Sequence, residues 1–257
     1  MFGGIGVHLS GTSFVIDKDR LGGLVAIAAF NSALFNGPAP QPGFVATLVL
    51  ADEMVLVREG LASICQTAAR CEVVGQCSDG VTALQMIRDL KPDIALIDWD
   101  LPNLFPLELA RQVRLEGLPT KIGIISSRTD RKTVLEALRS GVSAFLLKSG
   151  PSQQLGEAVR QMMAGAVYVS PLLNLEAILT NSKKPEPADS FETLSPREFQ
   201  VFTLLVDGVR AKEIAARLQL SPKTVDTYRS SLMQKLEIYD VAGLVKFAIQ
   251  RSLISSR

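Results

Sequence analysis

From Ala46 onward the chain alternates two periods of apolar residues. Thr47-Leu-Val-Leu-Ala51 is an unbroken apolar run that closes on Asp52-Glu53, and Arg58 to Ala69 then carries apolar residues at helical spacing. The alternation recurs with strand-like Glu72 to Gln76, helical Gly80 to Leu90, a strand from Pro92 to Asp98 and helical Leu107 to Arg114. It continues with strand Lys121 to Ser126, helix Arg131 to Ser140, a short strand Ala144 to Leu147 and helix Gln153 to Ala164. Five strands alternating with five helices predict an α/β domain on a doubly wound, five-stranded parallel sheet. Continuous apolar strands are what covering both faces of such a sheet requires.

Between Tyr168 and Ser190 the pattern breaks. Pro171 and the polar stretch Asn181 to Pro187 cannot continue a helix. Beyond it the texture is helical only. Ser195 is a good N-cap, Pro196 suits the first helical position, and Glu198, three after the cap, completes a capping box. That helix is expected to end at Asp207-Gly208. Ala211 to Leu218 forms a short second helix, Gln219-Leu220 a turn, Ser221-Pro222 the start of a third helix reaching Leu236, and Val241 to Ser252 a fourth. Four domain-level segments follow: an unassigned, flexible extension over 1–45, the α/β domain over 46–166, a linker over 167–190 and an all-α, four-helix domain over 191–257.

Composition narrows the class. The 257 residues are 47% apolar and 21% charged with a net charge of +1, a globular rather than disordered balance. The charge is uneven: residues 191–257 hold ten Lys/Arg against seven Asp/Glu, leaving −2 for the remainder. A basic C-terminal domain on an acidic partner domain is consistent with nucleic-acid binding. Cys65, Cys71 and Cys77 lie six apart, which matches neither a CxxC pair nor a usual zinc spacing, and they are read as buried apolar residues. A lone histidine, His8, in the N-terminal stretch excludes most His-dependent triads and multi-His metal sites within the chain. The apolar run Leu21 to Phe30 is half the length needed to span a bilayer, so no membrane is expected, and the reduced cysteines suit the cytoplasm.

The candidate chemistry sits at strand ends, where a doubly wound sheet gathers its functional groups. The first strand ends in Asp52-Glu53, the third in Asp98, the fourth in Ser126 and the fifth in Lys148. Three crowded carboxylates repel one another unless a cation lies between them, and a hard divalent ion such as Mg²⁺ is the natural occupant. The same group suits phosphoryl transfer to a carboxylate, with the metal, Lys148 and Ser126 each taking a phosphoryl oxygen.

Over residues 46–166 these positions resemble the receiver domain of response regulators, a flavodoxin-like fold. The resemblance implies that Asp98, in Ile97-Asp98-Trp99-Asp100-Leu101-Pro102, is phosphorylated by a sensor histidine kinase. It implies that Asp52, Glu53 and Asp98 hold Mg²⁺ with a carbonyl from Asp100, and that Ser126, Phe145 and Lys148 are the switch hydroxyl, switch aromatic and phosphate-pairing lysine. Phosphorylation would pull Ser126 inward and let Phe145 rotate into the vacated space. Glu53 and Met54 depart from the usual pattern. So does Leu101-Pro-Asn-Leu-Phe-Pro106, where relatives carry Pro-Gly and a further glycine; that loop borders the site.

In the C-terminal domain two short helices joined by a tight turn read as a helix-turn-helix. Ile214, Ala215, Leu218, Leu220, Val225 and Leu232 would lock the pair together. The opposite face offers Lys223, Thr224, Asp226, Thr227, Arg229 and Ser230, with Lys212 and Lys235 nearby, to reach phosphates and base edges. Leu194-Ser-Pro-Arg-Glu198, Gly208, Lys212-Glu-Ile-Ala215, Leu220-Ser221, Lys223-Thr-Val225 and Lys235-Leu236 resemble the LuxR-type domain of NarL/FixJ regulators. That likeness implies homodimers on paired DNA half-sites. Asp226 and Tyr228 depart from it, since relatives often carry a basic residue and a histidine there; an acid at 226 could accept from a cytosine amine.

Together the two domains predict a phosphorylation-controlled transcription regulator of a two-component system, not a free-standing enzyme. The alternative is a phosphorylation-independent regulator controlled by partner or ligand contacts on the receiver.

Overall fold

The computed structural model describes residues 45–67, 69–175, 178, 190–251 and 253, with the strand backbones at 4–9, 12–17 and 29–30. The chain divides into two compact units, Met1–Ser127 with Ala137–Thr180, and Arg128–Glu136 with Asn181–Arg257. Three short strands, β1 (Gly4–Leu9), β2 (Thr12–Asp17) and β3 (Ala29–Phe30), pair antiparallel as a separate small sheet. The rest of the expected extension over 1–45, and most of the linker before Ser190, lie outside the described residues.

The main sheet is built from β4 (Ala46–Ala51), β5 (Cys71–Cys77), β6 (Ile94–Asp98), β7 (Lys121–Ser126), β8 (Ala144–Leu147) and β9 (Tyr168–Val169), in the order β5-β4-β6-β7-β8-β9. Every pairing in it is parallel. The helices in sequence between these strands are α1 (Val55–Thr67), α2 (Gly80–Leu90), α3 (Pro106–Leu115), α4 (Arg131–Ser140) and α5 (Gln153–Met163). The expected five-stranded doubly wound sheet is therefore present, with a sixth, two-residue strand at its edge. Tyr168 N–H donates to Ser143 O at 3.0 Å and Ser170 N–H to Phe145 O at 2.9 Å. A two-residue strand is too short to leave a periodic signal, which is why the sequence reads as linker there.

Both faces of the central strands are covered. β6 and β8 are buried at every position, and Leu48, Leu50, Ile94, Leu96, Leu146, Leu155 and Met162 belong to one continuous core. Each such side chain contributes roughly 1.5–3 kcal/mol through its removal from water. The three cysteines are buried within this unit. Burial pushes the Cys65 thiol up to about 12 and those of Cys71 and Cys77 to about 11, so they stay protonated and inert.

The second unit carries α6 (Pro196–Val206), α7 (Ala211–Leu218), α8 (Pro222–Leu236) and α9 (Val241–Gln250). The expected capping box is formed: Ser195 Oγ accepts from Glu198 N, and Glu198 Oε2 accepts from Ser195 N at 2.7 Å. α6 ends at Val206 with Asp207 as its C-cap, and Gly208 takes φ +80°, the left-handed conformation that closes a helix C-terminus. The core includes Phe191, Phe199 and Phe202, with half-buried Phe247 beside them, and their rings meet mostly edge to face; the Phe191–Phe202 centroids are 5.2 Å apart. Among the described residues no helix is long and apolar enough to cross a membrane.

Candidate functional site

The strand order reverses at β4 and β6, the point where a doubly wound sheet opens a crevice at its carboxyl edge. Asp52 follows β4 and Asp98 is the last residue of β6; both are buried. Lys148 follows β8, and its N–H donates to the Ser126 carbonyl at 2.8 Å, which pins the lysine beside the end of β7. From there its ammonium bridges the two acids, 2.9 Å from Asp52 Oδ2 and 2.9 Å from Asp98 Oδ1. The Asp52 contact is a hydrogen bond, and Asp52 Oδ1 also accepts from Met54 N at 2.8 Å. The Asp98 contact is an ion pair of the same length onto a buried oxygen.

Desolvation raises the Asp98 carboxyl to about 6 against the opposing pull of Lys148, with Asp52 and Asp100 adding to the rise. Burial alone would lower the Lys148 ammonium, but its two carboxylate partners hold it above its ordinary value. Ser126, at the end of β7, is fully buried, as is Phe145 on β8. The aromatic ring expected to rotate inward is thus already in the interior.

Glu53 and Asp100 are exposed. Among the described residues no three acidic, thiol or imidazole groups converge on a metal position. The sequence expectation of three converging carboxylates is accordingly met by two, Asp52 and Asp98, drawn onto Lys148. The donor chemistry nevertheless fits a hard divalent cation. It consists of oxygen atoms only, and Asp98 Oδ1 is a buried acceptor on a carboxyl raised by desolvation, the group that a cation would stabilise most.

The loop after Asp98 resolves the departure from the family pattern. Asn103 takes φ +68°, the left-handed region in which asparagine is among the few tolerated non-glycine residues. Pro106 occupies the first turn of α3, where its fixed φ suits the helix. Trp99 is buried edge-on against Phe105, with centroids 5.5 Å apart. Two residues that the sequence reading did not single out also shape the site. Arg58 donates to the Asp52 carbonyl at 2.6 Å, because α1 begins at Val55, three residues earlier than the apolar spacing suggests. Asp79 caps α2 beside the loop, and its place directly before Gly80 was the available signal.

In the second unit, α7 is closed by its C-cap Gln219 at φ +55° and the chain turns into α8. Ser221 caps α8 by accepting from Thr224 N at 3.1 Å. Ile214, Ala215, Leu218, Val225 and Leu232 are buried as expected, while Leu220 is half-buried. Lys223, Asp226, Thr227 and Ser230 form an exposed stripe along the opposite face of α8, with Thr224 and Arg229 half-buried beside it. Thr227 returns its hydroxyl to the Lys223 carbonyl at 3.0 Å. Lys212 is exposed in the first turn of α7. Lys235 does not extend this stripe: its ammonium donates to Glu198 Oε2 at 2.6 Å.

A parallel sheet with a lysine-bridged acidic edge, joined in one chain to a helix-turn-helix unit, defines a receiver coupled to a DNA-binding effector. The profile of the response regulator receiver domain matches residues 48–160, and that of the luxR family of bacterial regulatory proteins matches residues 192–248. The oxygen regulatory protein NreC of Staphylococcus carnosus (strain TM300) is 32% identical over 213 residues, covering 80% of this chain and 98% of the relative. NreC of Staphylococcus aureus (strain MRSA252) matches with the same identity and coverage. Among solved structures, the RcsB response regulator of Salmonella typhimurium superposes with a TM-score of 0.66 at 21% identity, covering 79% of this chain and 96% of that one. RcsB from Salmonella enterica serovar Typhimurium, solved bound to promoter rprA, gives a TM-score of 0.64 at 20% identity, covering 79% and 98%. The chain belongs to the response regulators that couple a receiver domain to a LuxR-type DNA-binding domain, and it is a phosphorylation-controlled, DNA-binding transcription regulator.

Proposed function

We propose that Asp98 is the phosphoryl acceptor and that the Lys148 bridge between Asp52 and Asp98 is the observation that carries this reading. The lysine is positioned to leave one carboxylate and pair with phosphoryl oxygens once Asp98 is modified. The carboxylate oxygen of Asp98 attacks phosphorus, the donor's leaving group departs with the bond electrons, and the aspartyl phosphate remains. Bound through Asp52, Glu53, Asp98 and the Asp100 carbonyl, Mg²⁺ would supply neutralisation of the phosphoryl oxygens. Ser126 donates its hydroxyl to one of those oxygens, and the shift of Ser126 relative to Phe145 alters the outer surface of β7 and β8. The domain limits follow the sequence expectation, 46–166 for the receiver, 167–190 for the linker and 191–257 for the effector, with β9 (Tyr168–Val169) carrying the receiver's sheet into the first residues of the linker. The donor is a sensor histidine kinase in the cytoplasm, and the chain's reaction is on itself rather than on a turned-over substrate.

The phosphorylated chain binds DNA as a homodimer through α8. Lys223, Arg229 and, from α7, Lys212 meet phosphates, while Thr224, Asp226, Thr227 and Ser230 face base edges. Incubation with acetyl phosphate and Mg²⁺ tests the reading: wild type gains one phosphoryl group by mass and Asp98→Asn gains none. A chain that gains nothing, yet binds DNA with full affinity, would instead be a regulator controlled by partner or ligand contacts.

A further inference from the structure

The loop between Asp98 and α3 is held from outside by the first turn of α2. Gly80 N–H donates to the Pro102 carbonyl at 2.9 Å. The approach is so close that a Cβ at Gly80 would lie 2.5 Å from the Leu104 carbonyl oxygen. Pro102 O also accepts from Leu104 N at 2.9 Å, which closes a tight turn around Asn103. Asn103 alone within this turn takes a positive φ, +68°. Its side chain is exposed, so no demand of the core selects an amide here. What the position demands is a residue that tolerates the left-handed region, and asparagine does so because its short polar side chain can hydrogen-bond locally. A local partner is in reach. Asp79 caps α2, with Oδ1 accepting from Val81 N and Thr82 N, both at 3.0 Å, and Oδ2 from the Thr82 hydroxyl at 2.7 Å. The Asn103 amide adds to these donors in holding the Asp79 carboxyl below its ordinary range against the opposing effect of burial.

We propose that Asn103 is a positioning residue for the phosphorylation site, its left-handed backbone locking the Asp98–Pro106 loop against Gly80 so that the Asp100 carbonyl is set for the cation before the cation arrives. The proposal rests on the reading of Asp98, Asp52, Glu53 and Asp100 as the Mg²⁺ site. Asp100 lies three residues before Asn103, in a segment anchored ahead of the turn by Trp99 N to Ile125 O at 2.8 Å and Leu101 N to Asp98 O at 3.4 Å. A residue that avoids the left-handed region would let the free loop relax, and Mg²⁺ binding would have to restore it. Affinity would fall by the population of the locked form lost in the free protein.

Trp99, the single tryptophan of the chain, adjoins Asp98 and packs on Phe105 within the same loop, so its fluorescence reports the site. The test is a Mg²⁺ titration of the full chain followed by Trp99 emission, with phosphoryl uptake from acetyl phosphate measured beside it. Asn103→Ala is expected to raise the Mg²⁺ midpoint about fivefold, the factor set by the left-handed penalty for a side chain without local bonding. Asn103→Gly, which enters that region freely, is expected to restore the midpoint to within about twofold of wild type. Equal midpoints in wild type and Asn103→Ala would overturn the positioning role while leaving the phosphorylation site standing. A glycine variant as impaired as the alanine variant would overturn the backbone mechanism. A wild-type chain with neither a Mg²⁺ response nor phosphoryl uptake would overturn both the role and the reading on which it rests.

Discussion

The Lys235 ammonium donates to Glu198 Oε2 at 2.6 Å, tying the last turn of α8 to the first turn of α6. Glu198 also accepts from the Ser231 hydroxyl at 2.6 Å and from Ser195 N–H, so one buried carboxylate joins two helices and a cap. Desolvation would raise its pKa, but the bonds from Lys235, Ser231 and Ser195 outweigh this and hold it at about 2.

Because the folded value lies below the unfolded one, this carboxylate stabilises the fold above about pH 4.3 and the contribution is lost as pH falls toward 2. Glu198→Gln should therefore destabilise the C-terminal unit by about 2 kcal/mol at pH 7. The gap between variant and wild type should close on acidification toward pH 2. Denaturant melts across that range check both statements, and a gap independent of pH would refute the linkage.

Removing the bridging ammonium leaves Asp52 and Asp98 buried side by side. Lys148→Met should raise the Asp98 carboxyl further, since Lys148 is the main opponent of its desolvation. The variant is expected to bind DNA no better after acetyl phosphate treatment than before it. Wild type should gain affinity under the same treatment. Gel-shift titrations with and without the phosphodonor make the comparison.

On the DNA side the α8 stripe predicts two different responses. Lys223→Ala should weaken binding about uniformly across sequences and reduce the slope of log K against log salt by about one. Asp226→Ala should instead relax or change base preference at one position, because a carboxylate reads rather than anchors. Lys235→Ala should leave the salt slope unchanged and lower thermal stability, since its partner is Glu198.

The three thiols are buried and raised to between about 11 and 12. Iodoacetamide at pH 8 should leave Cys65, Cys71 and Cys77 unlabelled in the folded chain and label all three in denaturant. Mass spectrometry counts the additions, and rapid labelling of any of them in the folded state would contradict their burial.

Much of the fold was written in local pattern. Strands buried on both faces carry uninterrupted apolar runs, so β4, β6, β7 and β8 could be placed from residue type alone. The Ser195–Glu198 capping box and the Gly208 terminus likewise depend on neighbours within four residues, and the structure forms both. The identity of the site residues was legible for the same reason: a parallel sheet delivers whatever follows each strand to one edge, so Asp52, Asp98, Ser126 and Lys148 are brought together by topology.

Contacts between residues distant in sequence decided the rest. Only the packed structure shows that Lys148 draws two carboxylates rather than three, with Glu53 and Asp100 exposed, because side-chain direction at a strand end depends on the turn that follows. Only packing shows that Lys235 belongs to Glu198, since charge pattern alone cannot say whether a surface lysine faces solvent or a buried acid 37 residues away. The β9 edge and the fit of Gly80 onto Leu104 were equally hidden. A two-residue strand exists through pairing with β8, and a glycine's missing side chain acquires meaning when another backbone approaches it. The sequence determined the elements and their order through short-range periodicity; the tertiary structure determined partners, because partnership is a property of distance in space.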